Sequence, residues 1–160
     1  MLFMAVLVAA TLAARALDRR GGWRSAARWG MAVAMIVAGV SHLLMPEPFL
    51  QHLPPWVPLR TMLVAGSGVA EIALGGWLVY PASQRVLAGR VLAAYLLAVW
   101  PANVYVAAAG IDVTGQPGGA YPWIRVPLQV LFIAWALWCT RVARPAPTRT
   151  APAEPTRASA

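Results

Sequence analysis

The sequence predicts an all-α integral membrane protein, with a four-helix transmembrane bundle core and one additional N-terminal transmembrane helix. Three observations carry that expectation. Of the 160 residues, 60% are hydrophobic and only 11% are charged, whereas a water-exposed domain of this size carries roughly a quarter charged residues. The mean hydropathy is +0.63. The apolar residues fall in long runs, separated by short connections bearing Arg, Pro or Gly, which is the pattern of membrane-spanning helices.

The first apolar run covers about 1–16, "MLFMAVLVAATLAARA". It has no positive residues before its apolar stretch, and its charge follows at Arg15, Arg19 and Arg20. A cleaved secretory leader has the opposite charge order, so a retained helix with its N-terminus outside is expected. Residues 18–28 read as a basic cytoplasmic linker. The core over 29–140 then contains four runs, at about 29–45, 61–80, 87–109 and 123–140. At 1.5 Å per residue, about twenty residues cross a hydrocarbon core of about 30 Å, so the first two runs of the chain are short and would cross with little tilt.

Charge orders these segments. All thirteen basic residues are arginine, against five acids, for a net charge of +8. They gather in alternate connections: the 18–28 linker, the 81–90 turn with Arg85 and Arg90, and the tail with Arg141, Arg144, Arg149 and Arg157. The positive-inside rule therefore puts the N-terminus outside and the C-terminus in the cytoplasm of a multi-pass plasma-membrane protein. Arginines in loops and tail, rather than along one helix face, argue against nucleic acid as a partner and for membrane lipids. The tail 141–160, rich in Pro, Ala and Thr, is expected to be disordered. The outer loop "MPEPFLQHLPPWVPLR", with five prolines plus Phe49 and Trp56, reads as a stiff interfacial segment. A single cysteine, Cys139, excludes dithiol redox chemistry by this chain alone.

The polar residues inside the apolar runs are the candidates for function. Glu71 stands in the middle of "VAGSGVAEIALGGWLVY", on the order of 15 Å below the outer edge. An ionisable group at that depth costs several kcal/mol unless neutralised or partnered. Ser67, at i−4, shares its face, and Gly66, Gly68, Gly75 and Gly76 leave surfaces smooth enough for close helix approach. His42 lies near the outer end of its run, roughly 5 Å deep. Asn103 follows Pro101 in the outer part of the fourth run, and Arg125 and Gln129 share a face across Pro127. All these groups fall in the outer half, which predicts a polar pocket opening outward. Proline at 101 and 127 removes the helical donor to the carbonyls of Leu97 and Trp123. Plainer roles compete: Glu71 as a neutral acid holding helices together, Arg125 snorkelling to headgroups, Cys139 inert, and the tryptophans as interfacial belts. Neither a metal nor a haem is expected; His52, in a proline-rich loop, is a poor partner for His42 in haem ligation.

The stretches "GVSHLLMPEPFLQHLPPWVP", "SGVAEIALGGWLVYP", "VWPANVYVAAAG" and "RVPLQVLFIAWALW" resemble the DoxX-like family of bacterial integral membrane proteins. The family pattern is met at His42 with Pro46, Ser67–Gly68 with Glu71, Pro101–Ala102–Asn103, and Arg125 with Pro127 and Gln129. The resemblance implies a four-helix core and a link to quinone-coupled sulfur oxidation or redox-stress complexes. On that basis a quinone is the expected cofactor, with a redox partner protein supplying electrons. Glu71 and His42 would handle protons, and Ser67, Asn103, Arg125 and Gln129 would bind the ligand. A small-molecule or lipid binding or transport bundle, and a lipid isomerase-like enzyme, are the alternatives.

Overall fold

The computed structural model describes residues 2–141, and these fold entirely into helices and their connections. Helix α1 runs over Leu2–Leu17, α2 over Gly22–Leu44, a single turn α3 over Glu47–Leu50, α4 over Arg60–Val79, α5 over Arg85–Ala109 and α6 over Tyr121–Cys139. Four of them (α2, α4, α5 together with its preceding 3-10 turn, and α6) are long and apolar enough to cross a membrane. Helix α1, at 16 residues, is about 24 Å long and is the shorter fifth apolar helix. The protein is thus an all-α, multi-pass membrane bundle, with every spanning segment in the one open conformation that satisfies its own backbone hydrogen bonds in lipid. The expectation of a disordered tail lies outside the described residues, apart from Arg141.

The linker expected over 18–28 is mostly helix. Asp18 ends α1, its Oδ1 accepting from the amides of Arg20 at 3.2 Å and Gly21 at 2.9 Å, and α2 starts at Gly22. Nothing in "GWRSAAR" breaks a helix, and the buried Ala26 and Ala27 pack inside the bundle. Arg24 and Arg28 read as loop residues only because of their charge. At 23 residues, α2 is about 35 Å long and is not a short span.

Helices α2, α4, α5 and α6 close a ring of neighbours, and α1 lies against α2. Phe3 of α1 meets Phe132 of α6 edge-on, 4.8 Å between centroids. The apolar core sits toward the arginine-bearing end and is built from Met31, Met35, Leu74, Leu78, Leu92 and Ala136. Large apolar side chains such as Leu63, Val69, Leu97 and Leu131 stay on the outside, where lipid tails are as favourable as protein.

Glycine sets the seam between α2 and α4. A Cβ on Gly39 of α2 would collide with the carbonyl oxygen of Gly68 on α4, and one on Gly68 would come within 2.8 Å of both the Gly39 carbonyl and the His42 Cβ. Gly75 faces the Ala32 carbonyl in the same way, at 2.8 Å. Gly66 and Gly76, expected to serve the same purpose, meet nothing within 4 Å, because they point away from α2.

Candidate functional site

The candidate residues lie in the half of the bundle away from the arginine-bearing end, but they form three separate networks rather than one shared pocket. The first joins α2, α4 and α5. The Gly39–Gly68 contact brings the two backbones close enough for His42 and Glu71 to face each other, with His42 Nε2 3.8 Å from Glu71 Oε2. Ser67 Oγ lies 2.8 Å from the Val64 carbonyl oxygen and 2.8 Å from His42 Nδ1. With Ser67 donating to Val64 the neutral imidazole carries its proton on Nδ1 and turns the Nε2 lone pair toward Glu71; with Ser67 donating to Nδ1 instead, Nε2 carries the proton toward Glu71. The other carboxyl oxygen, Oε1, accepts from the Tyr95 hydroxyl of α5 at 3.0 Å.

Glu71 Oε2 is the unfinished atom. It is buried with no hydrogen-bond partner among the described residues, and 3.8 Å from His42 Nε2 is too long for a direct hydrogen bond. Two lone pairs facing each other out of water are stable only if one proton sits on one of them, as a carboxylic acid beside an imidazole or as a carboxylate beside an imidazolium. The pair is nearly enclosed, with side-chain exposures of 13% for His42 and 11% for Glu71. Phe49, from α3, covers the His42 ring at a centroid distance of 3.7 Å.

The second network ties α5 to α6. Buried Gln129 donates to the Leu96 carbonyl at 2.8 Å and accepts from Asn103 Nδ2 at 3.3 Å. Trp100 Nε1 donates to the Val126 carbonyl at 3.1 Å. These bonds fall one residue away from the carbonyl that Pro101 leaves without a donor, and one residue before Pro127 itself. Both helices run unbroken through their prolines.

The third network is at the rim, where Arg125 is held by loops and stands apart from Glu71. Its Nη1 donates to His52 Nε2 and to Gln116 Oε1, both at 2.7 Å. His52 Nδ1 in turn donates to the Pro48 carbonyl at 2.8 Å. Burial, then the adjacent guanidinium, then the charge on a protonated His42, push the His52 pKa down to about 4, against the pull of the Pro48 bond. A second clip joins the same two loops, with Gln51 donating to Thr114 Oγ1 and accepting from the Thr114 amide, each at 2.9 Å.

Sequence reasoning missed Tyr95, His52 and Gln116. A tyrosine deep in an apolar run must place its hydroxyl somewhere, and Tyr95 lies midway along the run that also carries Asn103; that signal was present. His52 and Gln116 meet Arg125 only through loop folding, which leaves no periodic trace. No group of three His, Cys, Asp or Glu side chains comes together among the described residues. Searches of curated proteins and of solved structures found no match. The model of one family, described as a domain of unknown function (DUF8561), matches residues 31–140, from the middle of α2 to just past the end of α6 and so across all three networks. The chain belongs to the DUF8561 family.

Proposed function

We propose that the protein is a DoxX-like, quinone-interacting or accessory subunit of a redox complex in the bacterial plasma membrane, with its N-terminus outside and its C-terminus in the cytoplasm. In this reading the Glu71–His42 pair takes up and delivers a proton in the outer half of the bundle, and a partner protein carries the electrons. Reduction of a quinone consumes two electrons and two protons, so a proton-exchanging pair within the membrane-spanning bundle is what such a subunit would supply. The observation that supports it best is the unpartnered Oε2 of Glu71 facing Nε2 of His42 at 3.8 Å. An ionisable pair at membrane depth, with its remaining atoms fixed by Tyr95 and Ser67, is held in place for proton exchange.

A second reading is favoured by the Tyr95–Glu71 bond itself, which alone would make Glu71 a neutral acid joining α4 to α5. Binding of ubiquinone and menaquinone analogues to the purified protein separates the two. Saturable binding by the wild type, lost in Glu71→Gln and His42→Ala with both variants folded, is the expected result. Binding by neither wild type nor variants sinks the quinone reading for the isolated chain. Binding kept in Glu71→Gln, with assembly disturbed only in Glu71→Leu, means that Glu71 serves packing.

A further inference from the structure

The opposite end of the bundle holds a cavity of about 280 Å³, lined by Arg24, Ser25 and Arg28 of α2, Arg85 at the start of α5, and Cys139 and Arg141 at the end of α6. Among the described residues no carboxylate pairs with any of these arginines, and the one described salt-bridge contact in the chain is His42–Glu71. Asp18, the nearest acid in sequence, spends its Oδ1 on the amides of Arg20 and Gly21 and does not line the cavity. Arg28 is partly buried, donates only a long 3.5 Å bond to Ser25, and feels the like charge of Arg85. The first-turn amides of α2 have no side-chain cap and add partial positive charge at the same place. Four guanidinium groups converge from three helices, and among the described residues the nearest carboxylate, Asp18, is bonded to the amide of the lining residue Gly21 and pairs with none of them. Such an arrangement repels itself unless an anion joins it.

Beside it runs a second, apolar cavity of about 200 Å³ between α1, α2 and α6, lined chiefly by Val8, Leu12, Trp23, Ala27, Trp135 and Trp138. The two spaces are neighbours along the chain: Trp23 and Arg24, Ala27 and Arg28, and Trp138 and Cys139 are consecutive pairs with one member in each. From the geometry we infer that this end of the bundle is a binding site for an anionic phospholipid, with the headgroup phosphate among Arg24, Arg28, Arg85 and Arg141 and an acyl chain in the adjacent tryptophan-lined groove. Guanidinium groups suit phosphate because they donate in pairs, and basic pockets between membrane helices take such headgroups. The apolar groove is what a free phosphate would not need. This site is independent of the Glu71–His42 pair and of any quinone.

The test uses the full chain in non-ionic detergent, with phosphatidylglycerol or phosphatidylcholine added, read by native mass spectrometry and by melting temperature. Saturable retention of phosphatidylglycerol over phosphatidylcholine, with a raised melting temperature, is expected. Arg28→Gln and Arg85→Gln should each weaken it about fivefold. Arg90→Gln, on the exposed side of α5 and outside the cavity, should leave it unchanged. Lipid-free Arg28→Gln should melt no lower than wild type, since a self-repelling charge has gone; a lower melting point would make the arginine a packing residue and overturn the site. Arg141→Gln, beyond the end of α6, repeats the test without touching a helix. Equal retention of both lipids, or equal weakening by Arg90→Gln, reduces the cluster to diffuse surface charge. Displacement of the lipid by millimolar inorganic phosphate assigns the cavity to a free anion and overturns the lipid.

Discussion

The α2–α4 seam and the α5–α6 seam both carry polar side chains at membrane depth, yet they are built in opposite ways. Along α5–α6 the polar groups are neutral amides and an indole, and buried Gln129 is bonded at both ends, to Leu96 and to Asn103. Along α2–α4 the backbones meet through Gly39, Gly68 and Gly75, and the polar pair placed there is ionisable and unfinished at Glu71 Oε2. Both seams hold helices together, but only one leaves an acceptor for an incoming proton. Polarity inside a membrane helix therefore does not by itself separate packing from chemistry. The separating features are ionisability and an unsatisfied atom.

The largest effect should come from closing the glycine seam. In Gly39→Leu the new side chain meets the Gly68 carbonyl and the Glu71 Cβ, the latter at 3.1 Å, and a backbone carbonyl in a helix cannot move aside. A loss of more than about 3 kcal/mol is expected, measured by unfolding in bicelles. Gly66→Leu, on the facing helix α4 but with nothing within 4 Å of its Cβ position, should stay within about 0.5 kcal/mol. Equal losses would show that the close approach of α2 and α4 does not depend on glycine.

The rim that closes over both seams should respond to acid. Folded His52 stays neutral down to about pH 4, whereas in the unfolded chain it takes a proton near 6.5. The unfolded state therefore binds the extra proton first as pH falls. The contribution of His52 is fully present above pH 6.5 and is lost progressively toward pH 4, a change of at most about 3 kcal/mol. Protonation would also put a hydrogen on Nε2 against Arg125 Nη1 and open the clip. Melting of the wild type at pH 7.5 and 4.5, beside His52→Gln, checks this, because the difference between the two proteins removes whatever the Glu71–His42 pair contributes. Identical pH dependence in both would leave His52 without a role in the rim.

The helices were legible because apolar runs of about twenty residues admit few other structures in lipid, and the gathering of polar residues in the half away from the arginine-bearing end was legible because depth follows from position along a helix. Azimuth does not follow. Nothing in "VAGSGVAEIALGG" separates Gly68 and Gly75, which face α2, from Gly66 and Gly76, which face away; that needs the partner helix. Depth alone also made Arg125 a plausible member of the same site as Glu71, whereas loop folding gives it to His52. The charge of Arg24 and Arg28 marks a loop, whereas the residues around them favour helix and α2 starts at Gly22. The same two arginines then proved to line a cavity.

The smallest effects on stability separate the seams most sharply. Gln129→Leu strips a donor from the Leu96 carbonyl and an acceptor from Asn103, and should cost about 1 kcal/mol while leaving quinone-analogue binding unchanged. Glu71→Gln is nearly isosteric: its amide oxygen still accepts from Tyr95, and its NH₂ faces the His42 Nε2 that Oε2 now faces at 3.8 Å. Stability should hold within about 0.5 kcal/mol, because an amide donor takes the place of the proton shared between Glu71 and His42. What should vanish is proton exchange, read as the proton uptake or release that accompanies ligand binding in weakly buffered solution. If Glu71→Gln instead destabilises as much as Gln129→Leu and leaves that proton count intact, the two seams differ only in how they pack. The unpartnered oxygen would then be a defect tolerated by a tight glycine interface rather than the place where a proton is exchanged.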